Sequence, residues 1–184
     1  MSDNKGIRLT TPEFRVSFPN VFKAKAAFEN QPAKFNVVML FDKGTDISEI
    51  KKAARQAAKD EWGDKPPKNL KSPFKDGDEK DYDGYENTIF INATSNQKPG
   101  LVDGNCQAII DENDFYAGCY ARAIITVKAY NKPTSKGVTC YLQHIQKIRD
   151  GEPFSGRGKA EDAFDKIGGY DEDNYADSDS DLFD

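Results

Sequence analysis

The stretch that decides the fold reads Cys119-Tyr-Ala-Arg-Ala-Ile-Ile-Thr-Val-Lys-Ala-Tyr130. Small or aliphatic residues fill every odd position from Ala121 to Ala129, while the even positions are mostly polar or aromatic. Successive side chains of a strand point to opposite faces, so this alternation predicts a β-strand with one core face. A turn at 132–137 leads into Val138 to Arg149, which we expect to return as the second arm of a long hairpin.

Three more strands are expected earlier in the chain. Glu13 to Phe18 alternates, and its pattern places Phe18 on the core face. Lys34 to Phe41 is apolar on both faces, as in a central strand, and Thr88 to Thr94 alternates with Phe90 pointing outward. The segment from 102 to 110 is ambiguous and could hold one further short strand.

One helix is predicted, from Asp46 to Trp62, because alanines favour it, Asp46 or Ser48 can cap it, and Gly63 follows it. A long charged loop with several prolines and glycines covers 65–86, and loops of this length are often functional or mobile. About five strands, one helix and a late hairpin predict a mainly β fold, a five-stranded Greek-key barrel of the OB type. Other α+β sheets remain open.

The expected domain organisation has four parts: a flexible lead-in at 1–11, the OB domain at 12–155, a polar linker at 156–169 and a disordered acidic tail at 170–184. The 184 residues carry 26 basic and 31 acidic side chains. The tail holds seven of the carboxylates and no lysine or arginine, so the body has a net charge of +2. Such a tail repels itself and buries little, which predicts disorder.

Bulk features exclude several classes of protein. The sequence contains no run of 18 apolar residues that could form a membrane-spanning helix. We also see no apolar segment of the kind that a secretory signal contains. The three cysteines are irregularly spaced, which favours free thiols in a reducing cytosol.

The even face of the Tyr120–Tyr130 strand indicates a function. Aromatic rings stack on any base and cations follow phosphates, so alternating tyrosine, arginine and lysine suit a single-stranded nucleic acid. An ordinary solvated sheet face has the same composition, and that alternative is open for the strand taken alone. The acidic tail adds weight to the nucleic-acid interpretation, because a tethered polyanion can imitate the ligand.

Several segments together resemble the phage single-stranded-DNA-binding proteins with an OB fold. They span most of residues 12–155: Phe22-Lys-Ala24, Ser72-Pro-Phe-Lys-Asp-Gly-Asp-Glu-Lys80, Phe115-Tyr-Ala-Gly-Cys-Tyr-Ala-Arg-Ala123, Tyr130-Asn131, Lys136-Gly-Val138 and Gln146-Lys-Ile-Arg-Asp-Gly-Glu152. The resemblance implies sequence-tolerant binding of single strands and a C-terminal tail that contacts replication partners. In this chain Phe183 is penultimate rather than last, which departs from the tighter pattern of an ultimate aromatic residue.

The predicted DNA-binding residues fall into three groups. Expected stacking platforms are Phe90, Tyr120, Tyr130 and Tyr141. Expected phosphate contacts are Lys23, Lys25, Arg122, Lys128 and Arg149. The long loop, with Lys71, Phe74 and Lys75, is expected to close over the strand.

Partners are expected at the tail. Asp177, Asp179, Asp181, Leu182 and Phe183 would contact a polymerase, helicase or recombinase, and the tail would compete with DNA for the groove. We expect a cytoplasmic protein, in the host cell if viral, with no membrane contact; a homodimer is left open.

The sequence gives little support for a metal site or a catalytic site. Cys106, Cys119, Cys140 and His144 lack the spacing of a zinc site. The acidic residues between 76 and 83 do not follow the EF-hand order. We expect no cofactor and no enzymatic activity. Two alternatives stay open: an adaptor or DNA mimic that works through its tail, and a metal-dependent nuclease using Glu112 and Asp114.

Overall fold

The computed structural model describes residues 5–26, 28–154, 164, 165 and 167. In this part of the chain eight strands and one α-helix are present. The strands are β1 (Ile7–Thr10), β2 (Phe14–Lys25), β3 (Lys34–Asp42), β4 (Lys75–Asp76), β5 (Thr88–Ser95), β6 (Gly100–Val102), β7 (Tyr120–Lys132) and β8 (Ser135–Arg149). The helix α1 (Ser48–Trp62) lies between β3 and β5 in the chain.

Five strands close into a barrel in the order β2-β3-β5-β8-β7, with β7 pairing again to β2. The β5–β8 pair is parallel and the other four pairs of the ring are antiparallel. The three short strands extend this ring: β1 pairs with β7, β4 with β5, and β6 with β8. The prediction of a mainly β, five-stranded barrel of the OB type with one helix is confirmed.

The barrel interior is filled by the alternating apolar residues that the sequence predicted. Ala121, Ala123, Ile125 and Val127 of β7 are buried, and Cys140, Leu142 and Ile145 of β8 lie in the same core. The helix adds Ile50, Ala53, Ala54 and Ala57 to this core. Small side chains on β7 leave room for larger ones opposite, such as Phe14, Phe41 and Phe115.

The predicted start of the folded domain is wrong, and the segment that the sequence left ambiguous contains no complete strand of its own. The flexible lead-in at 1–11 contains β1, whose register pairs Ile7 with Val127 and Thr10 with Ile124, so the folded domain begins before residue 12. The ambiguous segment at 102–110 holds only the end of β6 and one isolated bridge between Val102 and Ala108.

The strand β2 departs from the predicted alternation at Phe18. Phe14 and Val16 are buried as expected, but the Phe18 side chain is 52% exposed. The β2–β3 register shifts between Ser17 and Asn20, which marks a bulge or irregularity, and Phe18 has a φ of 41°. Such irregularities redirect side chains, and this one turns Phe18 from the core to the outer face.

No helix within the described residues is long and apolar enough to span a membrane. The predicted acidic tail at 170–184, and nearly all of the linker at 156–169, lie outside those residues.

Candidate nucleic-acid interface

A row of three asparagine amides crosses the outer face of β2, β3 and β5. Asn20 Nδ2 donates to Asn36 Oδ1 over 2.8 Å, and Asn36 Nδ2 donates to Asn92 Oδ1 over 3.1 Å. The register explains the alignment, because Asn20 pairs with Asn36, and Val38, two residues along β3, pairs with Asn92. An amide carries two donor hydrogens and two acceptor lone pairs, so the row uses only part of its hydrogen-bonding capacity.

These amides line a polar cleft of about 630 Å³. Three lysines and no carboxylate are found among its described lining residues, which are Asn20, Lys25, Ala26, Gln31, Pro32, Lys34, Asn36, Asn92, Thr94 and Lys132. Lys25 and Lys34 are direct cross-strand partners. Like charges directly opposite each other destabilise a sheet, so an anion bound here would relieve an existing repulsion.

An aromatic chain lies on the outer face beside the polar cleft. Phe18 contacts Tyr82 with ring centroids 5.6 Å apart, Tyr82 contacts Tyr85 at 5.2 Å, and Tyr85 contacts Phe90 at 5.3 Å. All three contacts are edge-to-face, the arrangement that ring quadrupoles favour. Phe18 and Tyr82 are each 52% exposed, whereas Tyr85 and Phe90 are buried with Val38 and Leu40.

The loop before β5, which runs from β4 to β5 over residues 77–87, is fixed in place by contacts with the rest of the protein. Lys43 Nζ lies 3.1 Å from Asp76 Oδ1 and also pairs with Asp78, whose Oδ1 accepts a hydrogen bond from the Asn87 amide. That backbone hydrogen bond, together with Lys43, lowers the pKa of Asp78. The hydrogen bonds from Lys43 to the two aspartates raise the pKa of its ammonium group. Asp76 and Asp78 therefore hold a lysine of the protein itself.

Part of the predicted face of β7 and β8 is engaged by contacts within the protein. The Arg149 guanidinium lies 3.8 Å from the Tyr120 ring centroid and pairs with Glu13 at 2.9 Å. Arg122 Nε donates to Gln146 Oε1 over 2.8 Å. Tyr141 is exposed, and Lys128 and Tyr130 are half-buried.

The remaining predicted residues are dispersed. Lys25 lines the polar cleft, and Lys23 is exposed on β2 before it. Lys71 and Phe74 line a groove beside α1 instead, and Lys75 is exposed on β4. Of the twelve predicted DNA-binding residues, Lys25 alone lines the cleft that contains the amide row.

Phe90 requires a correction. It points to the outer face as predicted, but its side chain is only 6% exposed because Tyr85, from the loop before β5, covers it. It therefore offers no surface for a base in this conformation, which contradicts its expected role as a stacking platform.

Sequence reasoning missed most of the residues that line the cleft and the aromatic chain. Lys34, Asn36 and Asn92 occupy alternate positions of apolar strands, and this polar alternation could have identified them. Phe18 and Tyr82 gave no such indication, because the irregularity in β2 and the loop conformation are tertiary features.

The cysteines are free thiols in different environments. Cys106 is exposed, whereas Cys119 and Cys140 are buried. Burial raises the pKa of the Cys119 thiol and raises that of Cys140 to about 12. Across the described part of the chain, no group of three or more histidine, cysteine, aspartate or glutamate residues could hold a metal ion. Glu112 and Asp114 lie exposed in a short 3₁₀ turn.

Comparisons with known proteins agree with the barrel. A family model described as "Enterobacter phage Enc34, ssDNA-binding protein" matches residues 7–177. Protein p50 of Acyrthosiphon pisum secondary endosymbiont phage 1 is 29% identical over 158 residues, which are 79% of this chain and 85% of p50.

Two solved structures share the fold. The single-stranded DNA-binding protein of bacteriophage Enc34, solved in complex with ssDNA, superposes with a TM-score of 0.72 at 19% identity, covering 84% of this chain and 96% of that one. The single-stranded DNA-binding protein gp2.5 of bacteriophage T7 gives a TM-score of 0.56 at 13% identity, covering 83% and 97%.

Proposed function

The chain belongs to the phage family described by the Enc34 single-stranded-DNA-binding protein, and from this premise we propose that it binds single-stranded DNA in the polar cleft of β2, β3 and β5. The cross-strand pair of Lys25 and Lys34 is the observation that carries the proposal. Lys132, at the end of β7, supplies a third positive charge to the same cleft.

Phosphates and bases would meet different parts of the cleft. Each lysine that neutralises a phosphate releases part of a condensed counterion, about 0.7 per contact on a single strand, which favours binding at low salt. The amides of Asn20, Asn36 and Asn92 can both donate and accept, so they can contact the edge of any base or a sugar. A cleft of this kind supports sequence-tolerant binding.

The biological role that follows is protection of single strands. A protein that coats single-stranded DNA keeps it unpaired and shields it from nucleases during viral DNA replication or recombination. This role involves no chemical step by the protein.

The acidic tail has two proposed activities. Its seven carboxylates would occupy the lysine-lined cleft when DNA is absent, because a tethered polyanion is present there at high effective concentration. When DNA displaces it, Asp177, Asp179 and Asp181 would steer the tail to a replication protein, and Leu182 and Phe183 would anchor it.

The outer face of β7 and β8 is a second candidate surface for the same ligand. Arg122, Lys128 and Tyr130 of β7 and Tyr141 of β8 lie on it. Variants on the two faces distinguish these surfaces.

The decisive experiment measures anisotropy of a labelled oligo-dT across a salt series, with a matched duplex as competitor. We expect binding to single strands far tighter than to duplex and steeply weakened by salt. Lys34→Ala and Lys132→Ala should each weaken binding and flatten the salt dependence by up to one phosphate contact. Lys52→Ala, which removes an exposed lysine from α1, is the matched control and should change neither.

Three results would count against this proposal. Equal affinity for duplex and single strand would reject single-strand binding. Loss of affinity in Arg122→Ala and Lys128→Ala, with Lys34→Ala and Lys132→Ala unaffected, would move the site to β7 and β8. Cleavage of the oligonucleotide in magnesium or manganese, lost in Asp114→Asn, would establish a nuclease.

A further inference from the structure

An aromatic pocket of about 570 Å³ lies next to the polar cleft, formed by Ser17, Phe18, Tyr82, Tyr85, Tyr116 and Phe154. We propose that this aromatic pocket takes in one base of the bound single strand, with Phe18 and Tyr82 as its stacking surfaces. The inference rests on the proposed function, because the polar cleft must hold the strand from which the base comes.

The conformation of Phe18 is the first reason. Its φ of 41° is an outlier for a bulky residue, and its ring is 52% exposed although its neighbour Ser17 is buried. The positive φ costs stability, and the exposed part of the ring contributes none, since Phe18 is not among the residues that pack against the barrel core. Strained residues that persist in a folded protein cluster at ligand-binding sites, and strand bulges there commonly re-aim a side chain.

The rigidity of the walls is the second reason. Ser17 Oγ and Tyr85 Oη share a buried hydrogen bond of 2.7 Å at the base of the pocket. The Phe154 ring lies 4.1 Å from the Arg15 guanidinium carbon. Arg15 donates to the backbone oxygens of Gly118 over 3.1 Å and Glu152 over 2.6 Å, which fixes the segment that carries Phe154. A pocket held in this way loses little conformational entropy when a ligand enters.

The charge of the pocket selects a base over a phosphate. The described residues that line it include Asp81 and Asp83 but neither lysine nor arginine. Carboxylates repel a phosphate, but they accept hydrogen bonds from the amino and imino groups of bases. They also repel the acidic tail, which makes Phe183 a poor occupant.

The position of the pocket fits a strand held by the amide row. Asn20 Nδ2 donates to the backbone oxygen of Phe18 over 3.4 Å, so the end of the amide row adjoins the residue that lines the pocket. A nucleotide that contacts the amides would therefore place its neighbour beside the pocket. The lysine-lined cleft would hold the backbone, and the aromatic pocket would take the base.

The test uses the full-length protein and an oligo-dT carrying a single 2-aminopurine. Stacking on Phe18 and Tyr82 should quench the probe, and Phe18→Leu should restore its fluorescence while keeping apolar bulk. Phe18→Ala and Tyr82→Ala should each weaken oligo-dT binding by between about fivefold and a hundredfold, the range for loss of one base–aromatic stack. Neither should change the salt dependence, because no phosphate contact is lost.

Controls separate this inference from the proposed function. Ile110→Ala removes an exposed apolar side chain outside the cleft and the pocket, and should bind like the unmodified protein. Tyr82→Phe keeps the ring and should also retain affinity. If Lys34→Ala weakens binding while Phe18→Ala and Tyr82→Ala do not, the pocket inference is rejected and the cleft stands.

Two further results are informative. If the unmodified protein does not bind single strands, the proposed function itself is rejected. If the effect of Phe18→Ala disappears once residues 170–184 are removed, the pocket binds the tail and the base-binding inference is overturned.

Discussion

Lys25 and Lys34 lie directly opposite each other on β2 and β3, with both side chains exposed at the polar cleft. Two ammonium groups in this register repel each other, and opposed like charges weaken a strand pair by roughly 0.2–1 kcal/mol. An anion between them converts the repulsion into two attractions. Stability of the free protein and affinity for a phosphate backbone are therefore expected to oppose each other at this pair.

Replacing Lys34 by glutamate should reveal this opposition. Lys34→Glu turns the like-charge pair into an opposite-charge pair, so the free energy of unfolding should rise by a few tenths to about 1 kcal/mol. Affinity for oligo-dT should fall and its salt dependence should flatten, because one cation is lost and an anion gained. Urea unfolding and a salt titration measure the two effects. A variant that is less stable, or that binds as before, would contradict the role given to this pair.

The contacts of Asp78 that hold the loop before β5 should weaken at acid pH. Because the folded state lowers the pKa of Asp78 below its ordinary value of 3.8, its contribution to stability is complete above that value and is lost as pH falls through the lowered pKa. Asp78→Asn should therefore lower the thermal midpoint at pH 6, and this effect should shrink as the pH is lowered below 3.8. Glu79→Gln, in the same turn, serves as the control. An effect of Asp78→Asn that is independent of pH would show that its charge is not involved.

The barrel itself was predictable from the sequence because its strands obey local rules. Ala121 to Ala129 alternate strictly, and Gly63 ends the helix as predicted, so pattern alone indicated β7, β8 and α1. The predicted start of the helix is wrong, because it begins at Ser48 and its N-cap residue, Ile47, makes no side-chain capping hydrogen bond. The strand β1 was missed because it is only four residues long. Ile7 and Leu9 alternate with Arg8 and Thr10, but so short an alternation has little weight without the partner strand β7, which is distant in the sequence.

The candidate site was harder to predict because it depends on a break in the pattern. Strict alternation put Phe18 beside Val16 in the core, whereas the irregularity in β2 turns it outward. Phe90 was expected on the surface, yet Tyr85, which comes from a loop without a recognisable pattern, covers it. Local rules fail at these positions for tertiary reasons, and such failures are expected near functional sites.

Thiol reactivity should distinguish the three cysteines. Cys106 is exposed, whereas burial raises the pKa of Cys119 and raises that of Cys140 to about 12, which suppresses their thiolates. An aromatic disulfide reagent at pH 8 should modify one thiol rapidly and the other two only on unfolding. Cys106→Ser should abolish the rapid phase. Rapid modification of two or three thiols in the native protein would show that the core opens readily.

Removal of the acidic tail should increase DNA affinity. Deleting 170–184 changes the formal charge from −5 to +2, and it removes the competitor that we propose for the cleft. The gain should be largest at low salt, where screening is weak. Oligo-dT titrations of full-length and truncated protein test this expectation. Unchanged or weaker binding after truncation would reject the competitor role.

A single substitution at the tip of the tail should separate its two proposed activities. Phe183→Ala removes the apolar anchor but keeps all seven carboxylates. DNA affinity should stay nearly unchanged, while capture of the cognate phage polymerase in a pull-down should be lost. Capture that persists in Phe183→Ala and disappears only on truncation would assign partner binding to the aspartates alone.

Phe18 should be replaceable by glycine without loss of stability. Glycine adopts a φ of 41° without the penalty that a bulky residue incurs, and strain of this kind is worth roughly 1–3 kcal/mol. Against this gain, Phe18→Gly loses the edge-to-face contact with Tyr82, worth about 0.5–1.5 kcal/mol, and the greater freedom of glycine in the unfolded chain costs roughly 0.5–1 kcal/mol. The free energy of unfolding should therefore stay nearly equal, while affinity for oligo-dT falls. Val16→Gly, two residues earlier in the core, is the contrasting variant and should be strongly destabilising, because it removes a buried side chain.

Urea unfolding of both variants, with oligo-dT titration of Phe18→Gly, tests the argument. A Phe18→Gly protein that is clearly less stable would mean that the Phe18 ring contributes to folding stability, which would contradict its assignment to ligand binding.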